Sequence, residues 1–332
     1  MKKILIIRFS SIGDIVLTTP VIRCLKTQLP GVELHFLTKE SYRTVVEQNP
    51  HLDRIHTIGK DVSEVLPQLK SLGFDHVVDL HKNFRSFGVR RSLGKPSTTF
   101  PKVNVQKWLL VNFKIDRMPD VHIVDRYFEA VQKLGVQNDQ KGLEYFVPAK
   151  DEVHANALPE NFRNGYVALV IGGKHKTKQL PPEKVVDLCN SIHRPVMLLG
   201  GPEDMAEAEE IARKADATIY AACGKYNLNQ SASLVEQARV VVTNDTGLMH
   251  IAAAFRKPIV SVWGNTVPEF GMFPYMPGNA DQNAMFEVKG LSCRPCSKLG
   301  YGVCPKGHFR CMRDQHIDGM VAQIHRFWSE TT

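Results

Sequence analysis

The sequence predicts an α/β protein made of two doubly wound domains. Three observations carry that expectation. Apolar, β-branched runs alternate with stretches of helical period along most of the chain. The alternation gives way to a polar stretch around Pro148 to Asn164 and then restarts. Several apolar runs end in turns rich in Gly, Ser, Asp or Thr that lead straight into helices, as strands do in parallel sheets. A chain of 332 residues is long enough for two full cores. The expected domains are 1–155 and 156–332, with the carboxyl ends of both sheets facing one cleft.

The first strand is Lys2 to Phe9. Lys2-Lys3 before a short apolar run resembles the start of a signal peptide, but Arg8 and Asp14 interrupt it and the run scans as a core strand. Ser10-Ser11-Ile12-Gly13-Asp14 is a tight turn. A helix then runs through Ile15, Val16, Val21, Ile22, Leu25 and Leu29, with Pro20 kinking it or limiting its first part to a short turn. Strands are expected near 32–38, 55–59 and 76–81, and a helix over 122–134. After the linker the pattern reads strand 166–171, helix 182–192, strand 195–200, helix 203–215, strand 218–222, helix 229–238, strand 240–244, helix 247–255 and strand 258–263.

Composition excludes some classes. Hydrophobic content of 43% and charged content of 23% are ordinary for a globular protein. No run approaches the roughly 18 apolar residues of a membrane span, so a cytoplasmic location is expected. Net charge is +8, and its placement is uneven. Residues 82–117 carry nine basic side chains (Lys82, Arg85, Arg90, Arg91, Lys95, Lys102, Lys107, Lys114, Arg117) against the single acid Asp116. Phe84, Phe87, Phe100, Trp108 and Phe113 are interleaved with them. Such a patch suits an anionic partner: nucleic acid, an acidic membrane surface or a phosphorylated glycolipid. A solvated loop and helix whose aromatics face the core is the plainer alternative.

Two segments carry most of the chemistry. At Asn244-Asp245-Thr246-Gly247-Leu248-Met249-His250 an apolar strand delivers its end to a helix start. Free N–H groups and the positive end of the helix dipole make an anion site there. Thr246 and Gly247 permit close approach of a phosphate, and Asp245 and His250 add polar groups. The bland alternative is a helix cap formed by Asp245 or Thr246. After Val170-Ile171, the loop Gly172-Gly173-Lys174-His175-Lys176-Thr177-Lys178-Gln179 offers close backbone turning and three lysines for phosphate oxygens. Gly200-Gly201-Pro202-Glu203 can border a nucleotide base or ribose. Neither G-x-G-x-x-G nor a P-loop is present, which argues against a nicotinamide-dependent oxidoreductase. No helix-turn-helix, RNA-binding or zinc-finger signature accompanies the basic segment, so nucleic acid is not the expected partner.

Taken together, these segments resemble the glycosyltransferase family that contains the bacterial lipopolysaccharide heptosyltransferases. The matching pieces are Arg8-Phe9-Ser10-Ser11-Ile12-Gly13-Asp14, Asp79 through Ser86 (DLHKNFRS), the Lys174–Lys178 loop, Asn244 through Ala254, and Val262-Trp263-Gly264-Asn265-Thr266. They run in order from residue 1 to about 315. The resemblance implies a GT-B type fold, an acceptor-binding N-terminal domain and a donor-binding C-terminal domain. It implies inverting transfer without a catalytic metal or other required cofactor. The implied donor is a nucleotide sugar, ADP-heptose, and the implied acceptor an anionic glycolipid of the lipopolysaccharide core at the cytoplasmic face of the inner membrane. By the same resemblance Asp14 is the general base and Lys178 stabilises the departing diphosphate. Asn244, Thr246, Gly247 and Leu248, with Gly172, Gly173 and Lys174, lie on the donor; Asp245 and His250 lie near its sugar. Ser10, Ser11, Gly13, Asn83 and Arg85 are the expected acceptor side. One departure stands out: Tyr220-Ala221-Ala222-Cys223-Gly224 lacks the glutamate that some heptosyltransferases direct at the donor ribose, which leaves room for another nucleotide-sugar donor.

Cys293, Cys296, Cys304 and Cys311 bracket His308 and suggest a structural zinc knuckle, with free thiols in a loop as the alternative. Cys24, Cys189 and Cys223 lie on apolar faces and read as core.

Overall fold

A computed structural model describes residues 2–331. The chain divides into two compact units: residues 1–103 with 121–146, and residues 104–120 with 147–332. Each is built on an all-parallel sheet.

In the first unit the strands are β1 (Lys3–Ile7), β2 (Glu33–Lys39), β3 (Arg54–Ile58), β4 (His76–Asp79) and β5 (Ser97–Thr99), in the order β3-β2-β1-β4-β5. β1 is the central strand, pairing with β2 from Lys3 opposite Glu33 and with β4 from Ile4 opposite His76. That explains its unbroken apolar run: Ile4 to Ile7 are fully buried, because helices cover both faces of a parallel sheet. After β1 come the short α1 (Ile12–Val16) and then α2 (Thr19–Gln28), with Pro20 in the first turn, where no amide donor is needed. α3 (Leu66–Ser71), α4 (Phe84–Leu93) and α6 (Ile123–Phe128) complete this unit. The helix expected over 122–134 ends at Phe128, and a separate 3-10 turn covers Gln132–Leu134.

The second unit orders its strands β11-β10-β9-β6-β7-β8, where β6 is Val167–Val170, β7 Val196–Leu199, β8 Ile219–Ala221, β9 Val240–Asn244, β10 Ile259–Trp263 and β11 Asn283–Glu287. Its helices are α5 (Asn104–Phe113), α7 (Pro182–Ile192), α8 (Met205–Lys214), α9 (Leu228–Gln237), α10 (Gly247–Ala254), α11 (Arg310–Arg313) and α12 (Ile317–Glu330). α12 buries Met320, Ile324 and Phe327, one side of a helix at i, i+4, i+7, and packs on α7.

Two expectations need correction. The polar stretch 148–164 is not a free linker. It forms three 3-10 turns, buries Leu158 and Phe162, and is tied down where Asp151 accepts from Asn227 (3.0 Å) and Asn229 (3.1 Å). The basic segment is not one patch of one domain either. α4 belongs to the first unit, whereas α5 belongs to the second, where Leu110 joins Val267 and Phe270 in a small apolar cluster. The chain leaves the first unit after residue 103, returns at 121 and leaves again after 146, a path that local periodicity does not encode.

Candidate functional site

Open parallel sheets bind ligands at the carboxyl ends of their strands, where the strand order reverses. Each unit has one such point. In the first it lies between β1 and β4, in the second between β6 and β9. The segments singled out from sequence are the loops that leave these strands.

In the first unit Asp14 sits on α1, immediately after the β1 loop. Its Oδ2 accepts the backbone N–H (3.1 Å) and the hydroxyl (2.7 Å) of Ser11, and its Oδ1 is ion-paired with Arg8. The Asp14 side chain is 24% exposed and that of Arg8 only 9%. Arg8 also donates to Ser10 O (2.9 Å), to Leu80 O, and to the Tyr127 hydroxyl (2.9 Å). One guanidinium thus joins the end of β1, the end of β4 and α6. Burial opposes its charge, but the attraction of Asp14 and Tyr127 and the hydrogen bond to Asp14 outweigh that and raise its pKa. Gly13 is buried under this turn. His81, edge-on to Phe9, is pushed down to about 3 by burial, then by Arg8 and Lys102, so its ring is neutral.

The β4 loop assigns Asn83 a structural task. It caps α4, its Oδ1 accepting Ser86 N–H (2.9 Å) while Ser86 Oγ accepts Asn83 N–H (2.9 Å). Arg85 follows on the exposed first turn. Asp79 is fully buried; it accepts the N–H groups of His81 (2.9 Å) and Lys82 (2.7 Å) and is ion-paired with Arg90 (3.0 Å).

In the second unit Lys178 Nζ lies 2.6 Å from Asp245 Oδ2, and the same oxygen accepts the Thr266 hydroxyl at 2.9 Å. Both side chains of the ion pair are mostly buried, at 16% and 14% exposure. Thr246 is the residue before α10, but its side chain makes no capping bond. Gly247 and Leu248 open the helix; His250 is buried one turn in. Asn244 donates to Val170 O (3.2 Å) and so ties β9 to β6 across the reversal point. Gly172 has no room for a side chain, since a Cβ would fall 2.4 Å from Asp204 Oδ2. A Cβ on Gly173 would crowd the Thr246 methyl at 3.3 Å, so the two loops are in close apposition. Lys174 is exposed, and Lys176 reaches Glu207 at 3.4 Å. The segment that lacks an acid, 220–224, ends β8; the Tyr220 and Tyr226 hydroxyls meet at 3.2 Å.

The cysteine-rich loop braces this site rather than forming a knuckle. Arg294 donates to Gly264 O, to Val288 O (2.9 Å) and to Thr266 O (3.0 Å), and pairs with Glu287 (2.9 Å). Tyr301 and Thr177 exchange hydrogen bonds of 2.8 to 3.1 Å, fixing the lysine loop one residue before Lys178. The expected zinc set Cys293, Cys296, Cys304 and Cys311 is not assembled: among the described residues no group of three His, Cys, Asp or Glu is arranged to hold a metal ion. Cys296 Sγ donates instead to Cys293 O (3.0 Å), and Cys293 Sγ stands 3.8 Å from His308 Nε2. Cys311 is drawn into the core cluster beside Met312. Burial pushes the Cys311 thiol up to about 12. Cys24, Cys189 and Cys223 are buried free thiols, in line with a core role.

The basic segment is partly self-satisfied. Lys82 donates to Phe100 O (2.8 Å), Lys102 to Lys82 O (3.0 Å) and Lys114 to Pro295 O (2.7 Å). Phe100 is core, packed edge-on against Tyr127, whereas Phe84 and Phe87 on α4 and Trp108 and Phe113 on α5 are exposed. No helix among the described residues is long and apolar enough to cross a membrane.

Sequence reasoning omitted Arg8, Tyr127, Thr266 and Arg294 from the site. Only Arg8 carried a local signal, being a charge at the end of an apolar strand; Thr266 and Arg294 act through partners 21 to 30 residues away.

Comparison with known proteins follows this geometry. The sequence profile of glycosyltransferase family 9 (heptosyltransferase) matches residues 62–299. Lipooligosaccharide heptosyltransferase 2 of Haemophilus ducreyi is 25% identical over 353 aligned positions, covering 98% of this chain and 99% of that protein. Solved structures that share the fold include the following two. A family 9 glycosyltransferase from Veillonella parvula has a TM-score of 0.79 at 20% identity, covering 99% of this chain and 98% of that one. E. coli ADP-heptose LPS heptosyltransferase II has a TM-score of 0.73 at 19% identity, with 99% of both chains covered.

Proposed function

This chain belongs to glycosyltransferase family 9, the heptosyltransferase family, and we propose that it moves heptose from ADP-heptose onto a lipopolysaccharide core acceptor by inverting displacement, with Asp14 as general base. The observation that carries this reading is that the reversal point of each unit, taken by itself, bears one of two complementary chemistries. One presents an oriented carboxylate. The other presents a lysine and a helix start whose side-chain cap is not made.

In the proposed reaction an acceptor hydroxyl oxygen bonds to the anomeric carbon while the bond from that carbon to the diphosphate oxygen breaks. The hydroxyl proton passes to Asp14, and ADP leaves with the electron pair. The Ser11 bonds and the Arg8 ion pair orient the Asp14 carboxylate toward the acceptor. The proton moves as the nucleophile's new bond forms, when the hydroxyl has become acidic. Negative charge growing on the diphosphate is received by Lys178 and by the N–H groups that open α10. Asp245 holds Lys178 in place and is available to sugar hydroxyls. No step calls for a metal or other cofactor. The first unit (1–103 with 121–146) is read as the acceptor side and the second (104–120 with 147–332) as the donor side, so the boundary expected at 155 moves to 146 and α5 packs with the donor unit. The acceptor, anionic and lipid-linked, draws the protein to the cytoplasmic face of the inner membrane, supported by the exposed Phe84 and Arg85 on α4.

A second reading keeps the reaction and changes the donor, because β8 ends in a Tyr220–Tyr226 hydroxyl pair where an acid would meet ribose. Calorimetric titration with ADP-heptose, ADP, UDP-sugars and NAD(P) separates the readings. The proposal expects ADP-heptose and ADP to bind and the others not. Asp14→Asn should keep donor affinity and lose transfer about a hundredfold or more. Preference for a UDP-sugar would move the assignment to the second reading, and binding of NAD(P) alone would overturn both.

A further inference from the structure

β10 ends next to β9, and all three carbonyls of the turn that follows, Gly264-Asn265-Thr266, are hydrogen-bonded. Arg294 takes the carbonyls of Gly264 and Thr266, and the N–H of Cys296 donates to Asn265 O at 3.1 Å. A side chain at 264 would collide with Met312 and with Thr177 O. Inside this rigid frame the Asn265 side chain is 2% exposed, and neither its carbonyl oxygen nor its amide nitrogen has a hydrogen-bond partner. Its neighbour Thr266 bonds Asp245, which in turn holds Lys178.

A buried carboxamide with nothing bonded is costly, and a leucine of the same branching would be the cheaper residue. A polar side chain kept at such expense beside a charged cluster, at a strand's carboxyl end, calls for a partner that the protein's own groups do not supply. We propose that Asn265 is a specificity residue for the donor: its carboxamide hydrogen-bonds hydroxyl groups of the transferred sugar as the sugar seats beside Asp245. This rests on the donor-side reading of the β6–β9 reversal. An amide both donates and accepts, which matches a polyol and would be wasted on a diphosphate.

The test uses the full chain, ADP-heptose as donor and ADP as the sugar-free probe. Asn265→Leu should raise the melting temperature, because two buried unpaired groups are removed. It should also lower kcat/KM for ADP-heptose by roughly tenfold to a hundredfold, the worth of one or two hydrogen bonds, and leave ADP affinity unchanged. Asn265→Ala removes the amide without adding bulk and should show the same split, which covers the case in which leucine does not fit. Unchanged kcat/KM in the alanine variant would overturn the proposal and leave Asn265 holding an interior water. An equal loss of ADP and ADP-heptose binding would also overturn it, since the side chain would then shape the nucleotide site. Failure of the donor reading itself looks different: Lys178→Ala would leave ADP affinity untouched in an otherwise wild-type chain.

Discussion

Arg8→Lys keeps the positive charge and removes the fork, which makes it the sharpest probe of the first-unit site. The guanidinium serves Ser10 O, Leu80 O, the Tyr127 hydroxyl and Asp14 at once. An ammonium on a lysine stem can hold Asp14 and, at most, one carbonyl. Two acceptors at a buried position are then stranded, at about 1–3 kcal/mol each. With the Arg8 side chain only 9% exposed, solvent recovers little of this. A loss of about 3 kcal/mol follows. In a unit of this size roughly 4 °C accompanies each kcal/mol, so its transition should fall by about 12 °C. Calorimetry can isolate that transition as the one ADP does not raise, because ADP is expected to stabilise the second unit alone. Turnover should drop by about tenfold or more as Asp14 loses its fixed orientation. Arg8→Met goes further and takes away the counter-charge. It should lower both the melting temperature and turnover further than Arg8→Lys does, since Asp14 also loses its ion pair. Arg8→Lys that melts within about 2 °C of wild type, with unaltered turnover, would refute the account of Arg8 as the knot of this site.

Further expectations concern other sites. Lys178→Ala should weaken ADP binding and lower turnover, since Asp245 would be left as an uncompensated carboxylate facing the diphosphate; titration calorimetry and steady-state rates read both. Thr266→Val removes one of the two groups on Asp245 Oδ2 and should raise KM for the nucleotide sugar while the inhibition constant of ADP stays constant. His35 and His56 meet at 2.8 Å; burial lowers both, His56 to about 4, with Coulombic repulsion from His35 and then Arg54 adding to it. Glu33 and Lys3 beside His35 act in opposite senses. Because the folded values lie below the ordinary 6.5, stability present above that pH is lost as pH falls toward 4. Melting curves from pH 7 to 5 should show a steeper decline than in His56→Gln. In timed thiol labelling, Cys293 and Cys304 should react before Cys189, Cys223 and Cys311, whose thiols burial pushes up to about 12.

What the sequence determined by itself is whatever depends on neighbours a few residues apart. The buried run Ile4–Ile7, the strand Val240–Asn244 and the helix Pro182–Ile192 were all legible, because two-residue and 3.6-residue periods and proline at a helix start act locally. The loops carrying Asp14, Lys178 and Asp245 were legible for the same reason: each is a strand end followed by a turn. Tertiary structure alone decided the partners. Arg8 meets Tyr127 across 119 positions, Lys178 meets Asp245 across 67, and Arg294 meets Gly264 across 30. Strand order created the second of these by setting β6 beside β9, and the third by setting β10 beside β11; the first came from packing α6 over the ends of β1 and β4. Packing likewise sent α4 and α5 to different units and drew Cys311 into the core, although charge and spacing had suggested a shared patch and a shared metal. Charge counts and cysteine spacing measure distance along the chain, and hydrogen bonds and ligand geometry depend on distance through space.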